Sequence, residues 1–315
     1  MNKFSTTFII TFFMVIHFSN AQNENYINVV DSIKIDNIFR SYESYIPKGI
    51  SKHPKLVFVL HGSTMTTKQM INLTGNQFNQ ESNPSNNRII VYPQGFENYW
   101  NDCRKSATYS ANILNLNEVE FFKNIISKFE NEFGVNKSEV FIVGWSNGGH
   151  LVFKLAKENP TLFKGFAVIN ANLPLESNND CLSENKPVSI LIANGTTDSI
   201  NPYNGGKVVL GDGKDRGSVV STMNSVKYWK DLMTCNEIIE TKKLIPDIDK
   251  SDSSTVTVYD YECEKLGKKI ELIEIKNGGH IIPNPTFNAW PEYLGNVNRD
   301  INLPELILEF FDSLK

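Results

Sequence analysis

Four cysteines and five histidines in 315 residues, with no block of like charge, already remove several classes of function. Lys and Arg number 31 against 35 Asp and Glu, for a net charge of −4, and neither sign gathers into an arm that would hold nucleic acid. No repeat or low-complexity linker divides the chain, and no compact group of histidines and carboxylates suggests a bound ion. No metal and no cofactor are therefore expected. The cysteines, Cys103, Cys181, Cys235 and Cys263, lack the two close-spaced pairs of a structural zinc site.

The longest apolar run, residues 4–18, follows Lys3 and precedes Ser19, Asn20 and Ala21. It is shorter than the roughly 20 residues a spanning helix needs. Its charged start, apolar middle and small-residue end read as a signal peptide over residues 1–21, cleaved after Ala21, rather than as a membrane anchor. No cysteine follows to carry a lipid. A secreted or periplasmic protein is expected, with no stable membrane span after cleavage. In such a compartment an even number of cysteines suggests disulfides, and four cysteines allow three pairings.

Residues 22–315 are expected to form one catalytic domain. Residues 32–45 read as one or two opening strands before Pro47, Lys48 and Gly49 turn the chain. Short, continuously apolar runs at 56–60, 89–92, 140–143, 166–169, 188–193 and 270–275 read as strands buried on both faces. Helical spacing falls between them. Val119, Phe122, Ile126, Phe129 and Phe133 recur before Gly134; residues 149–159 precede Pro160; and 219–233 and 303–311 follow. Alternating strands and helices predict an α/β fold, a mostly parallel sheet flanked by helices. Residues 241–261 fit either an excursion over the active-site side or a solvated hairpin.

The strongest chemical signal is Gly144-Trp145-Ser146-Asn147-Gly148 between a predicted strand and helix. Small residues around Ser146 permit the sharp turn that exposes a nucleophilic hydroxyl. A serine needs a base, and His280, in the loop Asn277-Gly278-Gly279-His280 after the last strong strand, is the best placed. His150 lies just beyond the serine, suited to local packing or substrate contact, and His61 could orient its own loop. Asp198, reached from the 188–193 strand through Asn194-Gly195-Thr196-Thr197, supplies the acid, with Asp231 and Asp260 as substitutes. The order Ser146, Asp198, His280 is that expected of an α/β-hydrolase. Attack on an ester creates an oxyanion, for which the Asn147 backbone N–H is one donor and Ser63, with Thr64 close behind, the other. Trp100, Trp145, Tyr203, Phe287 and Trp290 lie in or near predicted loops where they could line a substrate pocket.

Further short motifs carry a resemblance. They are His61-Gly62, Tyr92-Pro93-Gln94-Gly95, Trp100-Asn101-Asp102, Ser146-Asn147-Gly148-Gly149, Gly195-Thr196-Thr197-Asp198, Pro202-Tyr203-Asn204-Gly205-Gly206, Gly278-Gly279-His280 and Leu294-Gly295-Asn296. With these, the chain from about Ile35 to its last helix resembles the secreted esterases grouped around polyhydroxybutyrate depolymerases and feruloyl or acetyl-xylan esterases. The resemblance implies a triad of Ser146, Asp198 and His280. It also implies a Cys235–Cys263 disulfide, leaving Cys103 and Cys181 as the second pair. Two positions depart from the family pattern: Asn194 stands where a histidine is usual, and Ile281-Ile282-Pro283 replaces Thr-Trp-Pro. The second alters shape and polarity beside His280, so no family member's acyl specificity transfers directly.

The expected function is a secreted serine carboxylic-ester hydrolase working through an acyl-enzyme. Its substrate would be a small-molecule or oligomeric ester, a feruloyl or acetyl polysaccharide ester or a short hydroxyalkanoate oligoester. A serine peptidase of the same fold is the nearest alternative, and a non-catalytic carbohydrate-binding or structural protein the one from a different class.

Overall fold

A computed structural model describes residues 25–286 and 290–315. The predicted signal peptide and Phe287 lie outside the described residues. The chain opens with a hairpin of β1 (Tyr26–Ile35) and β2 (Ile38–Pro47). Asp36 and Asn37 turn it at φ 47° and 69°, a left-handed conformation that short polar side chains tolerate.

The apolar runs then become β3 (Lys55–Leu60), β4 (Arg88–Pro93), β5 (Val140–Trp145), β6 (Gly165–Ile169) and β7 (Ser189–Gly195), of which β4 to β7 are buried at every residue. A two-residue ribbon, β8 (Gly206–Lys207) with β9 (Ser218–Val219), lies apart from the main sheet. β10 (Ile239–Leu244), β11 (Thr255–Cys263) and β12 (Lys268–Lys276) complete ten strands in the order β1-β2-β4-β3-β5-β6-β7-β12-β11-β10. From β4 through β3, β5, β6 and β7 to β12 all pairings are parallel, while both edges are antiparallel. Residues 241–261 thus belong to a solvated edge hairpin. Every residue of β10 is exposed, and its two lysines blunt an edge that could otherwise pair with another chain.

Seven α-helices accompany the sheet among the described residues: α1 (Thr67–Leu73), α2 (Gln77–Gln80), α3 (Ser110–Ile113), α4 (Glu118–Phe133), α5 (Asn147–Glu158), α6 (Thr222–Leu232) and α7 (Leu303–Ser313). Side chains alternate along a strand, so each strand feeds two cores. Leu56, Phe58, Ile142 and Val168 pack with Phe122 of α4, Leu151 of α5 and Trp229 of α6. Val57, Val59, Val143 and Ile169 pack on the other face with Met70 of α1 and Ile307 and Phe311 of α7. α4 stops at Gly134, whose φ of 68° closes the helix as its position in the sequence predicts. α5 starts at Asn147, two residues earlier than its apolar periodicity suggests, because the serine turn itself launches the helix.

Both disulfides are formed. Cys103 pairs with Cys181 across a separation of 78 residues, and Cys235 pairs with Cys263 across 28, with Cα–Cα distances of 5.1 and 6.2 Å. Among the described residues, no helix is long and apolar enough to cross a membrane.

Candidate active site

The parallel strands deliver their C-terminal ends to one edge of the sheet, where ligands of open α/β sheets bind. At the end of β5, Ser146 takes φ 57° and ψ −118°, an uncommon conformation for a residue with a Cβ, and α5 begins at the next residue. The turn requires its glycines. A Cβ on Gly144 would lie 2.3 Å from the Gly148 carbonyl carbon, and one on Gly148 would lie 2.7 Å from the His61 carbonyl oxygen. The Ser146 N–H donates to the Ile169 carbonyl at 2.9 Å, fastening the turn to β6.

Loops after β7 and β12 bring the other two side chains to the serine. Ser146 Oγ lies 3.0 Å from His280 Nε2, and His280 Nδ1 lies 2.7 Å from Asp198 Oδ2. A carboxylate can only accept, so Nδ1 carries the proton and Nε2 is left to accept from the serine hydroxyl. All three residues are buried. Asp198 Oδ1 accepts the backbone N–H groups of Ile200 and Asn201, each at 2.8 Å, which holds the carboxylate aimed at the histidine. The His280 N–H donates to the Leu294 carbonyl at 2.6 Å, and the Asn170 side chain donates to the Gly279 carbonyl at 3.0 Å, so the histidine loop is tied down on two sides. The substitute acids are occupied elsewhere: Asp231 pairs with Lys227 at 2.6 Å and Asp260 with Lys269 at 2.8 Å.

The Asn147 N–H is the first amide of α5, where no intrahelical acceptor exists and the helix dipole favours negative charge. Ser63 sits in the loop after β3, whose Gly62 lies directly against Ser146. Among the described residues, no protein acceptor pairs with the Ser63 amide. The Thr64 amide differs: it donates to the Asn98 carbonyl at 2.9 Å and is consumed by that bond. His61 holds the loop as a neutral ring. The Gly95 N–H donates to its Nε2 at 2.9 Å, so its proton sits on Nδ1 and is given to the Gly62 carbonyl at 2.7 Å. Burial pushes its pKa down to about 4.

One arrangement was not foreseen from the residues. The Asn147 side chain accepts from the Trp100 N–H at 2.9 Å and donates to Asp102 Oδ2 at 2.6 Å, bolting the start of α5 to the 100–104 loop. Asp102 in turn pairs with Arg104 at 2.6 Å, both out of contact with water. Burial pushes the Asp102 carboxyl up, but the Arg104 charge and hydrogen bonds outweigh it and hold the group below its ordinary range. The signal was there in Trp100-Asn101-Asp102, a motif with no obvious chemistry of its own.

Ser146, His280, Ser63, Trp145 and Trp290 line one cavity of about 460 Å³, shared with Asp212 and Arg216. Trp145 meets Trp290 edge to face at 5.4 Å between ring centres and lies 5.0 Å from the His280 ring. Two further aromatic candidates, Trp100 and Tyr203, lie outside this cavity. Trp100 is fully buried because its indole N–H donates to the His61 carbonyl at 2.9 Å, making it a strut under the loop. Tyr203 is buried with its hydroxyl on Glu274 at 2.5 Å. His150 is buried too, 2.7 Å from the Asn201 side chain, behind the Asp198 turn rather than in the cavity. Among the described residues, no three His, Cys, Asp or Glu side chains converge as a metal site.

No family model matches the chain. A protein named "Putative esterase NocK" from Nocardia uniformis subsp. tsuyamanensis is 22% identical over 282 residues, 86% of this chain and 78% of that one. Feruloyl esterase C of Emericella nidulans is 27% identical over 171 residues, 53% of this chain, which spans 58% of that protein's length. Among solved structures, an acetyl xylan esterase from Aspergillus awamori shares the fold with a TM-score of 0.57 at 12% identity, over 90% of this chain and 99% of that one. With its mostly parallel sheet, its serine turn and its aligned Ser–His–Asp side chains, the chain has the α/β-hydrolase fold and the side-chain arrangement of a serine hydrolase, and the proteins it resembles at low identity are named as esterases.

Proposed function

We propose that the protein is an exported carboxylic-ester hydrolase in which Ser146 is the nucleophile, His280 the general base and Asp198 the acid that orients it. The observation that carries this reading is the hydrogen-bonded line from Asp198 Oδ2 through His280 to Ser146 Oγ, ending in the cavity. His280 takes the serine proton as Oγ attacks the ester carbonyl, and Asp198 stabilises the imidazolium. The Asn147 and Ser63 amides receive the charge that develops on the carbonyl oxygen. His280 then protonates the departing alcohol, leaving an acyl-enzyme. Water activated by the same ring releases the acid and restores Ser146.

The substrate class proposed is a feruloyl or acetyl polysaccharide ester, or a short hydroxyalkanoate oligoester. Relatives named as feruloyl and acetyl xylan esterases support the first. Trp145 and Trp290 give the cavity an aromatic wall that suits a planar acyl group. Export is supported by the leader pattern of residues 1–21 and by two disulfides, which persist in oxidising compartments. The test is turnover of a panel of feruloyl and acetyl oligosaccharides, hydroxybutyrate oligomers and peptides by the wild type and Ser146→Ala. Ester turnover lost in the folded variant is the expected result. Peptide cleavage without ester turnover would replace the reading with a peptidase, and equal activity of the two proteins would remove it.

A further inference from the structure

Tyr109 belongs to neither the triad nor the cavity wall, yet it stands where the supports of the two oxyanion donors meet. Its hydroxyl lies 3.1 Å from Ser63 Oγ and accepts from Arg216 Nε at 2.9 Å. Arg216 is buried, and its remaining nitrogens are held by Asp212 at 2.7 and 2.6 Å and by the Lys214 carbonyl at 3.0 Å. A guanidinium can only donate, so the phenolic oxygen accepts from Arg216, and within the Tyr109–Ser63 pair either hydroxyl can be the donor. The ring is fixed as well: it stacks on Tyr99 with centres 4.4 Å apart, and the Arg104 guanidinium lies 5.6 Å from its centre. Arg104 is the partner of Asp102, which holds the Asn147 side chain at the other donor.

From this we infer that Tyr109 is a positioning residue for the oxyanion hole. Its hydroxyl, oriented by the Arg216–Asp212 pair, pins Ser63 so that the Ser63 N–H stays aimed at the oxygen of the tetrahedral intermediate. The need for such a pin is physical. The loop carries Ser63 between a glycine and a residue at φ 65°, and oxyanion donors act only when already in place as charge develops. The inference rests on the esterase reading above and adds a residue that touches no substrate.

Tyr109→Phe removes the hydroxyl and keeps the ring and its stacking. Removing an oxyanion donor outright costs roughly 10²–10³-fold in kcat, so releasing one from its support is expected to cost about 10–100-fold. KM should change by less than about threefold, because ground-state binding does not use the hole. Binding of a boronic acid, which forms a tetrahedral adduct on the serine, should weaken in proportion to kcat. The pH profile of kcat/KM should keep its shape, since the base is untouched. Ser63→Ala removes the partner hydroxyl while keeping the backbone N–H, and should show a similar loss. The double variant should be no worse than either single one. Wild-type kcat in Tyr109→Phe, a loss confined to KM, or additive losses in the double variant would overturn the inference. If Tyr109→Phe does not fold, the Ser63→Ala kinetics decide alone, with an unchanged kcat counting against it. A wild type that turns over no ester removes the esterase reading and this inference together, whereas an active wild type with an equally active variant removes only this inference.

Discussion

His61 and His150 are two imidazoles that the fold keeps neutral. Burial lowers the His61 pKa to about 4 and takes His150 well below its ordinary value. In the unfolded chain both take up a proton near pH 6.5, whereas the folded protein takes up neither until the pH is much lower. Folded-state pKa values below the unfolded ones mean that the contribution of these two groups is flat above about pH 6.5 and is lost as the pH drops below it. Each histidine contributes a slope of about 1.4 kcal/mol per pH unit in that window, and His61 levels off near pH 4 after a total of about 3 kcal/mol. Denaturant unfolding of the wild type and of His61→Gln between pH 4 and 8 should show the variant's slope reduced by about one proton. Equal slopes would mean that His61 titrates normally. The three triad residues were legible in the sequence because each sits just beyond an apolar run, where strand ends deliver loops to one edge. The same loop logic makes Trp100 and Tyr203 candidates for the pocket wall. They proved to be struts, because an aromatic ring with a polar handle satisfies a buried loop as readily as it binds a ligand.

The elbow between β5 and α5 shows how tightly one element is fitted to the next. Gly148 lies against the end of β3, where a Cβ would come within 2.8 Å of the Leu60 carbonyl oxygen as well as near His61. Gly148→Ala must therefore push α5 away from the loop that carries Ser63. A loss of about 1–3 kcal/mol in stability is expected, together with a fall in activity larger than the unfolded fraction explains. Gly134→Ala is a useful contrast, since its Cβ meets nothing within 4 Å and only its left-handed conformation, at φ 68°, is strained. It should cost stability while leaving kcat alone. The buried strands were readable from sequence because two covered faces demand unbroken apolar runs. The 239–263 hairpin stays one of two readings in the sequence, because an edge strand such as β10 has no buried face to impose alternation on its residues.

Across the whole molecule, two disulfides restrain the unfolded chain to different extents. Closing a loop of 78 residues is worth about 4.5 kcal/mol by chain entropy, and one of 28 about 3.6 kcal/mol. The Cys103→Ser, Cys181→Ser pair should therefore lower the melting temperature more than the Cys235→Ser, Cys263→Ser pair. Cys103 also stands between Asp102 and Arg104, which brace Asn147 at the start of α5. Losing that link should slow turnover even where the protein remains folded, while losing the other should not. Equal effects of the two pairs on kcat would show that the 100–104 loop keeps its geometry without its cross-link.

The central claim is that Ser146 is an activated nucleophile, and intact-mass analysis after treatment with a fluorophosphonate tests it most directly. The wild type should gain the mass of one phosphonyl group, slowly once Asp198 is changed to Asn, and not at all as Ser146→Ala. A wild type that stays unlabelled, or a Ser146→Ala protein that labels at the same rate, would contradict the account.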